Sequence, residues 1–386
     1  MDVQSLRDHV SARYPEYLAA LEAMVDVDCG SYTPAGVNRI ADMCEARFRD
    51  QGWEVERRSH VPADDTPQLG DLLIGTLRGS GGPRVLLVGH MDTVFDEGTV
   101  AERPFRIDGD IARGPGVSDM KGGLLTGFFA THALQDAGVD GFERITYVCN
   151  PDEEIGSPFS AATIRELAPQ HDVAFVLEGA RANGDIVSAR KGITDYTMTF
   201  TGRAAHAGVE PEKGRHAVLA AAQAVVALQA LNGRWPGVTV NAGVIQGGTR
   251  TNVVPERCSV LVDLRSPALE TLQEAERAIE AIAEVVTVPD VSVDVVGHGW
   301  HRPMEKGEEA QRLVDLAVRL ADELGFEVRD AATGGASDAN TTSAAGTPTI
   351  DGLGPVGGDD HAPAEWLDLT SVVPRTALLA GLIANL

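Results

Sequence analysis

Val85-Leu86-Leu87-Val88-Gly89-His90-Met91-Asp92 is a short apolar run that ends in a histidine and, two residues on, an aspartate. A run this short, preceded by the turn-forming Arg78-Gly-Ser-Gly-Gly-Pro83, reads as a buried strand. The same form recurs at Leu72 to Leu77, Arg144 to Cys149 and Val173 to Leu177. Helical spacing of apolar residues predicts helices from Ser5 to Met24, from Val37 to Asp50 and from just after Lys121-Gly-Gly to about Gln135. Strands alternating with helices imply a mostly parallel α/β sheet. In such sheets ligands bind beyond the carboxyl ends of the strands, which is where His90 falls.

The 386 residues exceed the roughly 250–300 at which one hydrophobic core stops growing, so two domains are expected. Between about Arg190 and Val296 the pattern changes to strand, helix, strand, strand, helix, strand: Thr194 to Thr201, Gly214 to Leu231, Val238 to Ile245, Ser259 to Leu264, Leu269 to Ala283 and Val291 to Val296. That order matches a ferredoxin-like α+β sandwich. Alternation of the first kind resumes at Glu308 to Leu324, so residues 189–297 are expected to form a domain inserted into a discontinuous one of residues 1–188 and 298–386.

Composition narrows the function. Fifty-seven acidic against 32 basic residues leave a net charge of −25, which repels nucleic acid and anionic membranes. The four cysteines, Cys29, Cys44, Cys149 and Cys258, form no C-x-x-C pair and suggest neither a disulfide framework nor a thiolate metal site. The N-terminus lacks a basic segment followed by an apolar one, and no run is long enough to span a membrane; the expectation is a cytoplasmic protein. No G-x-x-x-x-G-K-[ST] loop is present.

The chemistry-bearing residues gather after the apolar runs. His90 and Asp92 taken alone read as a buried histidine with its hydrogen-bond partner; strand alternation would place both on one side. Asp119, in the glycine-rich Arg113-Gly-Pro-Gly-Val-Ser-Asp119-Met-Lys-Gly-Gly123, taken alone reads as a helix cap. Asp152-Glu153-Glu154 is harder to explain as plain structure. Three successive acids after an apolar strand repel one another unless something positive lies among them. Glu178 ends the run Phe175-Val-Leu, and His361 lies in the late stretch Gly358-Asp-Asp-His361-Ala-Pro-Ala-Glu365. Two histidines and several carboxylates at strand ends are the inventory of a two-metal site with oxygen and nitrogen donors.

Five motifs, in order, resemble the dizinc metallopeptidase family that contains glutamate carboxypeptidase, aminoacylase, acetylornithine deacetylase and succinyl-diaminopimelate desuccinylase. They are Gly89-His-Met-Asp92, Gly114-Pro-Gly-Val-Ser-Asp-Met-Lys-Gly-Gly123, Asp152-Glu-Glu-Ile-Gly156, Gly202-Arg-Ala-Ala-His-Ala-Gly208 and Thr251-Asn-Val-Val-Pro255. The resemblance implies a zinc-exopeptidase-like catalytic domain, with the insertion serving as dimerisation or lid domain. It implies two Zn2+, one held by His90 and Glu178, the other by Glu154 and His361, with Asp119 between them. Cobalt or manganese would suit the same donors. It makes Glu153 the general base, Asp92 the residue that orients His90, and His206 a group reaching from one subunit of a homodimer into the partner's site.

For substrate, the resemblance points to Asn252, Arg265, Arg302 and the Gly335 backbone as the residues holding a carboxylate; Arg265 could equally pair with Asp263 two residues earlier. Glutamate at 178 resembles the carboxypeptidase and deacylase members. A lysine that binds the side-chain carboxylate in glutamate-specific members has no counterpart, Asn183-Gly-Asp185 standing there instead. The expected function is release of a C-terminal or N-acylated amino acid from a small-molecule amide or short peptide. A dipeptidase acting on free dipeptides, and a non-catalytic relative binding a carboxylated ligand, are the alternatives.

Overall fold

The computed structural model describes residues 2–63 and 65–386, Trp300 by its backbone alone. The chain divides into two compact units. The first comprises residues 1–188, 306–332 and 337–386, the second residues 189–305 and 333–336.

The first unit contains strands β1 (Glu54–Arg58), β2 (Leu72–Arg78), β3 (Arg84–His90), β4 (Arg144–Asn150) and β5 (Val173–Val176). The second contributes β6 (Gly192–Thr201), β7 (Thr239–Gly247), β8 (Arg257–Ser266) and β9 (Ser292–His301), and β10 (Thr349–Ile350) returns to the first. The longer helices of the first unit are α1 (Val3–Ala12), α2 (Tyr14–Val25), α3 (Pro34–Asp50) and α4 (Gly123–Asp136). Next come α5 (Ala217–Gln229) and α6 (Leu269–Glu280) of the second unit, then α7 (Glu308–Leu324) and α8 (Val372–Ala384) of the first.

Among the described residues the main sheet has six strands in the order β1-β2-β4-β3-β5-β10. β4, β3, β5 and β10 run parallel; β2 and β1 join antiparallel at one edge. The central strands are buried along all but the first residues of β3 and β4 and are mostly apolar, as strands covered on both faces must be. β1 was not anticipated. Its sequence, Glu-Val-Glu-Arg-Arg, carries one apolar residue, Val55, which packs against the core, and the strand is held chiefly by the ladder to β2. The single helix expected from Ser5 to Met24 is two, α1 and α2, with Arg13 between them and Pro15 in the first turn of the second.

α4 is buried from Gly123 to Thr131 and again at Ala133 and Leu134, and it packs against α8, α1 and α2. A helix apolar on all sides has to sit inside the protein, and α4 does. Beside it Phe48, fully buried, meets Phe128, Trp53 and Tyr147 at ring-centroid distances of 4.7, 5.1 and 5.7 Å. The first residue of α4 lies so close to the end of β5 that a Cβ on Gly123 would stand 1.7 Å from the Leu177 carbonyl oxygen. This contact sets the distance between the helix and the residue that precedes Glu178.

In the second unit the strands order as β7-β8-β6-β9, all antiparallel. Taken in chain order this is 2-3-1-4 with helices after the first and third strands, the ferredoxin-like arrangement. β6 buries Thr194, Tyr196, Met198 and Phe200 on one face, toward α5 and α6. β9 runs on to His301, past the expected boundary at 297, and the unit continues to Glu305. The strand continues although Gly297-His-Gly-Trp-His loses its alternation, because pairing with β6 (His298 opposite Asp195, His301 opposite Ile193) uses backbone groups.

Gly123→Ala should lower the stability of the first unit by about 1–3 kcal/mol, the usual cost of forcing extra volume into a packed contact. Urea denaturation followed by far-UV circular dichroism checks this.

Candidate metal centre

The parallel strands bring the candidate ligands to one edge of the main sheet. His90 ends β3 and stands opposite Asn150, the last residue of β4; Val88 stands opposite Val176, the last of β5. Glu153 and Glu154 therefore follow one neighbour of β3, and Glu178 the other. Asp119 comes from the turn Val117–Gly122 before α4, whose Asp119–Met120 peptide is cis. His361 lies in the loop between the short strands Gly357–Gly358 and Trp366–Asp368, with a left-handed φ of 63°.

Asp119 is the centre of the cluster. One carboxylate oxygen lies 3.0 Å from His90 Nε2, and the other 3.1 Å from His361 Nε2. His361 Nε2 is also 3.2 Å from Glu154 Oε2, and His90 Nε2 is 3.8 Å from Glu178 Oε1. The donor atoms of His90, Asp119 and Glu154 all fall within 4.8 Å of one another, and so do those of His90, Glu153 and Glu178.

Asp92 meets His90, although not by strand alternation, since β3 stops at His90. The chain turns instead. His90 Nδ1 is 3.0 Å from the Asp92 backbone oxygen and 3.4 Å from its carboxylate. That carboxylate accepts hydrogen bonds from Ser31 Oγ (2.6 Å) and from the backbone N–H groups of Glu153 and Glu154 (3.2 Å each), so it also fixes the acidic turn. Asp152, the first of the three acids, is buried away from the cluster. It accepts from the backbone of Phe159 and Ser160 and shapes the turn.

The electrostatics show a shortage of positive charge. Burial, followed by repulsion from Glu178, lifts the Glu153 carboxyl well above the usual range. Burial and then Asp119 push Glu154 up to about 7. Burial opposes charge on His90, but Glu178 and Asp119 outweigh it and hold the imidazolium form well above its ordinary range. His361 is pushed up to about 10 by its bonds to Asp119 and Glu154. Burial opposes charge on Asp119 too, yet the two imidazoles keep it below the normal carboxylate range. Protons on the histidines thus stand in for missing positive charge, which a divalent cation would supply while leaving both rings neutral.

A second observation agrees. Glu154 Oε1 is buried with no hydrogen-bond partner, an arrangement that costs about 1–3 kcal/mol unless another group takes up the lone pairs. Imidazole nitrogens and carboxylate oxygens are the donors expected for zinc and its neighbours. The residues present therefore fit divalent metal.

The remaining candidates lie in the second unit. His206 is exposed, its Nδ1 accepting from the Gly208 N–H at 3.2 Å; its segment bridges to Val253, and the Ala207 N–H reaches the Asn252 oxygen at 3.0 Å, so His206 and Asn252 lie on adjoining stretches. Arg265 is engaged twice, by Asp263 at 3.0 Å and by the Gly334 carbonyl at 2.9 Å. Arg302 lies 3.8 Å from Glu276, with about half its side chain exposed. The Gly335 carbonyl accepts from Arg190 Nη1 at 3.1 Å. Two buried carboxylates of the first unit had no role in the sequence reading: Asp338, which accepts from Ser157 Oγ and Asn150 Nδ2, and Glu365. Their partners lie more than 180 positions away in the chain, so no local pattern marks them.

Comparison with known proteins accords with this geometry. Residues 86–385 match the model of peptidase family M20/M25/M40. Carboxypeptidase G2 of Pseudomonas sp. (strain RS-16) is 31% identical over 96% of this chain and 89% of its own. Indole-3-acetyl-aspartic acid hydrolase of Enterobacter agglomerans is 42% identical over 26% of this chain and 24% of its own. The fold is shared with a tripeptidase from Staphylococcus aureus subsp. aureus Mu50, with a TM-score of 0.82 and 20% identity over 96% of this chain and 98% of the other. Among the described residues no helix is long and apolar enough to cross a membrane. Matched by the family model over residues 86–385 and 31% identical to a carboxypeptidase over 96% of its length, the chain belongs to peptidase family M20/M25/M40 and is a metallohydrolase acting on amide bonds.

Proposed function

We propose that this hydrolase releases an amino acid with a free α-carboxylate from an N-acyl or peptidyl amide, as a metallocarboxypeptidase or N-acyl-amino-acid deacylase working with two zinc ions. The observation that carries this reading is Asp119, whose two oxygens each face a different imidazole. His90 and Glu178 would hold one cation and Glu154 and His361 the other, Asp119 lying between. Relatives named as a carboxypeptidase and as a hydrolase of an aspartic acid conjugate support the choice of substrate class, as does glutamate at 178.

When bound, the cations supply Lewis acidity and bring the pKa of a water down to roughly 7. Glu153 takes the proton of the attacking water as its oxygen bonds to the carbonyl carbon. The same carboxyl then delivers that proton to the amide nitrogen as the C–N bond breaks and the amine departs. A carboxyl raised by burial and by Glu178 suits both halves of this transfer. Asp92 holds the Nδ1 side of His90, keeping Nε2 toward Asp119. His206, from the inserted unit of a second copy, would bind the developing oxyanion. Asn252, Arg302 and the Gly335 backbone would hold the substrate carboxylate. Of the two arginines, Arg265 is held by Asp263 and by the Gly334 carbonyl, and Arg302 lies 3.8 Å from Glu276.

Never-chelated protein should contain two equivalents of transition metal by elemental analysis, and removing them with a chelator should lower Tm, as loss of any ligand of the native state does. Active, folded protein without metal would end this reading. Zinc-loaded protein should cleave N-acetyl and N-benzoyl amino acids and blocked peptides; turnover of free dipeptides alone would make it a dipeptidase. Glu153→Ala should retain metal and lose about 10²–10⁴-fold in kcat, the usual worth of a positioned acid–base group. If His206 is shared, mixing inactive His206→Ala and Glu153→Ala proteins should restore part of the activity. Recovery should be absent if each subunit completes its own site.

A further inference from the structure

Glu365 takes no part in the chemistry above, yet it is 1% exposed and sits directly behind the cluster. Its carboxylate accepts three backbone hydrogen bonds. Oε2 accepts from the Gly116 N–H at 2.8 Å; Oε1 accepts from Ser118 at 2.8 Å and from the N–H of Asp119 itself at 3.0 Å. The turn curls around this carboxyl group because Gly114 and Gly116 have φ values of 146° and 71°, which side-chain-bearing residues rarely adopt. Successive N–H groups converging in this way form a concavity that favours a negative charge.

The opposite end of the same segment carries His361. Between them the chain is compact: the Ala362 N–H reaches the Asp359 oxygen at 3.0 Å and the Glu365 N–H the Ala362 oxygen at 3.1 Å. Strand Trp366–Asp368 pairs with Ile111–Arg113, Trp366 opposite Arg113, so Glu365 arrives beside the beginning of the Asp119 turn. Arg113 and Arg103 hold the outside of the loop through the Ala364 and Ala362 carbonyls at 2.7 and 3.4 Å. His361 is itself about half exposed with a left-handed φ, and besides these ties its neighbour Asp360 hydrogen-bonds Ser118 of the Asp119 turn.

We propose that Glu365 is a positioning residue. Its carboxylate clasps the Asp119 turn to the His361 loop, and thereby sets the geometry in which Asp119, Glu154 and His361 take a cation. The inference rests on the reading of those three residues as ligands. It separates the two cation positions: the one completed by His361 depends on the clasp, and the one completed by His90 at the end of β3 and Glu178 just after β5 does not depend on it to the same degree.

The test is Glu365→Gln, which keeps the shape but turns an amide NH2 group toward N–H donors. Metal-stripped wild-type and variant proteins are titrated with Zn2+ by calorimetry and with Co2+ by visible absorption, and the Tm of each metal-free protein is recorded. Wild type should bind two equivalents. In the variant one equivalent should weaken by about 10–100-fold, the range found when a residue supporting a metal ligand is lost, while the other changes by less than about threefold. Glu365→Asp, which keeps the charge on a shorter arm, should recover part of the loss, and it replaces the glutamine variant if that does not fold. If wild type binds two equivalents and both variants bind both with wild-type affinity, the clasp is wrong and the ligand assignment stands. A lowered metal-free Tm with unchanged affinities makes Glu365 merely structural and overturns the proposal. If wild type binds no metal, the ligand assignment falls, and the clasp with it.

Discussion

A carboxylate that places one oxygen against each of two imidazoles makes a demand no single element can meet. Asp119 is 29 residues from His90 and 242 from His361, and all three must agree to within a few tenths of an ångström. Much of the first unit can be understood as the means of that agreement. Parallel strands β3, β4 and β5 align their carboxyl ends, α4 is pressed against the end of β5 at Gly123, and the last loop is tied back to the turn that carries Asp119.

The cost of the arrangement is electrostatic. Gathering Asp92, Asp119, Glu153, Glu154 and Glu178 about two histidines in a partly dry place is unfavourable unless positive charge is added. Glu153 and Glu154 rise, His90 and His361 rise, and Asp119, between both rings, falls, as that one fact requires. An orphaned buried oxygen on Glu154 completes the picture of a site made for cations. Burial, and after it repulsion from Glu178, holds the Glu153 carboxyl above its usual range.

Asp92 and Glu365 show how backbone geometry supports the ligands. Each is a buried carboxylate that accepts N–H groups from a turn bearing ligands: Asp92 from Glu153 and Glu154, Glu365 from Gly116, Ser118 and Asp119. The acids that would touch metal are thus themselves held by acids that would not. Arg265, Arg302 and Asn252 belong to a unit with its own sheet and core, where Arg265 meets Asp263 and Gly334 and Arg302 lies near Glu276.

Read alone, the chain's letters revealed whatever depends on neighbours in sequence. The apolar runs that become β2 to β5, the helix from Glu308 to Leu324, the ferredoxin-like order of the insertion and the acids and histidines following the strands were all legible, because burial of a strand or one face of a helix writes a short-period pattern. What lacked such a pattern was missed. β1 is charged, and β9 past Gly297 is irregular, both being held by backbone ladders that side chains do not record. Only the fold decided that His90 meets Asp92 through a turn, that Asp152 faces away, that Arg265 is already paired, and that Glu365 lies under Asp119. Glu365 reaches Asp119 across 246 positions, a separation that erases any periodic signal, whereas the other three turn on which nearby group the backbone brings within about 3 Å, a choice no residue pattern records.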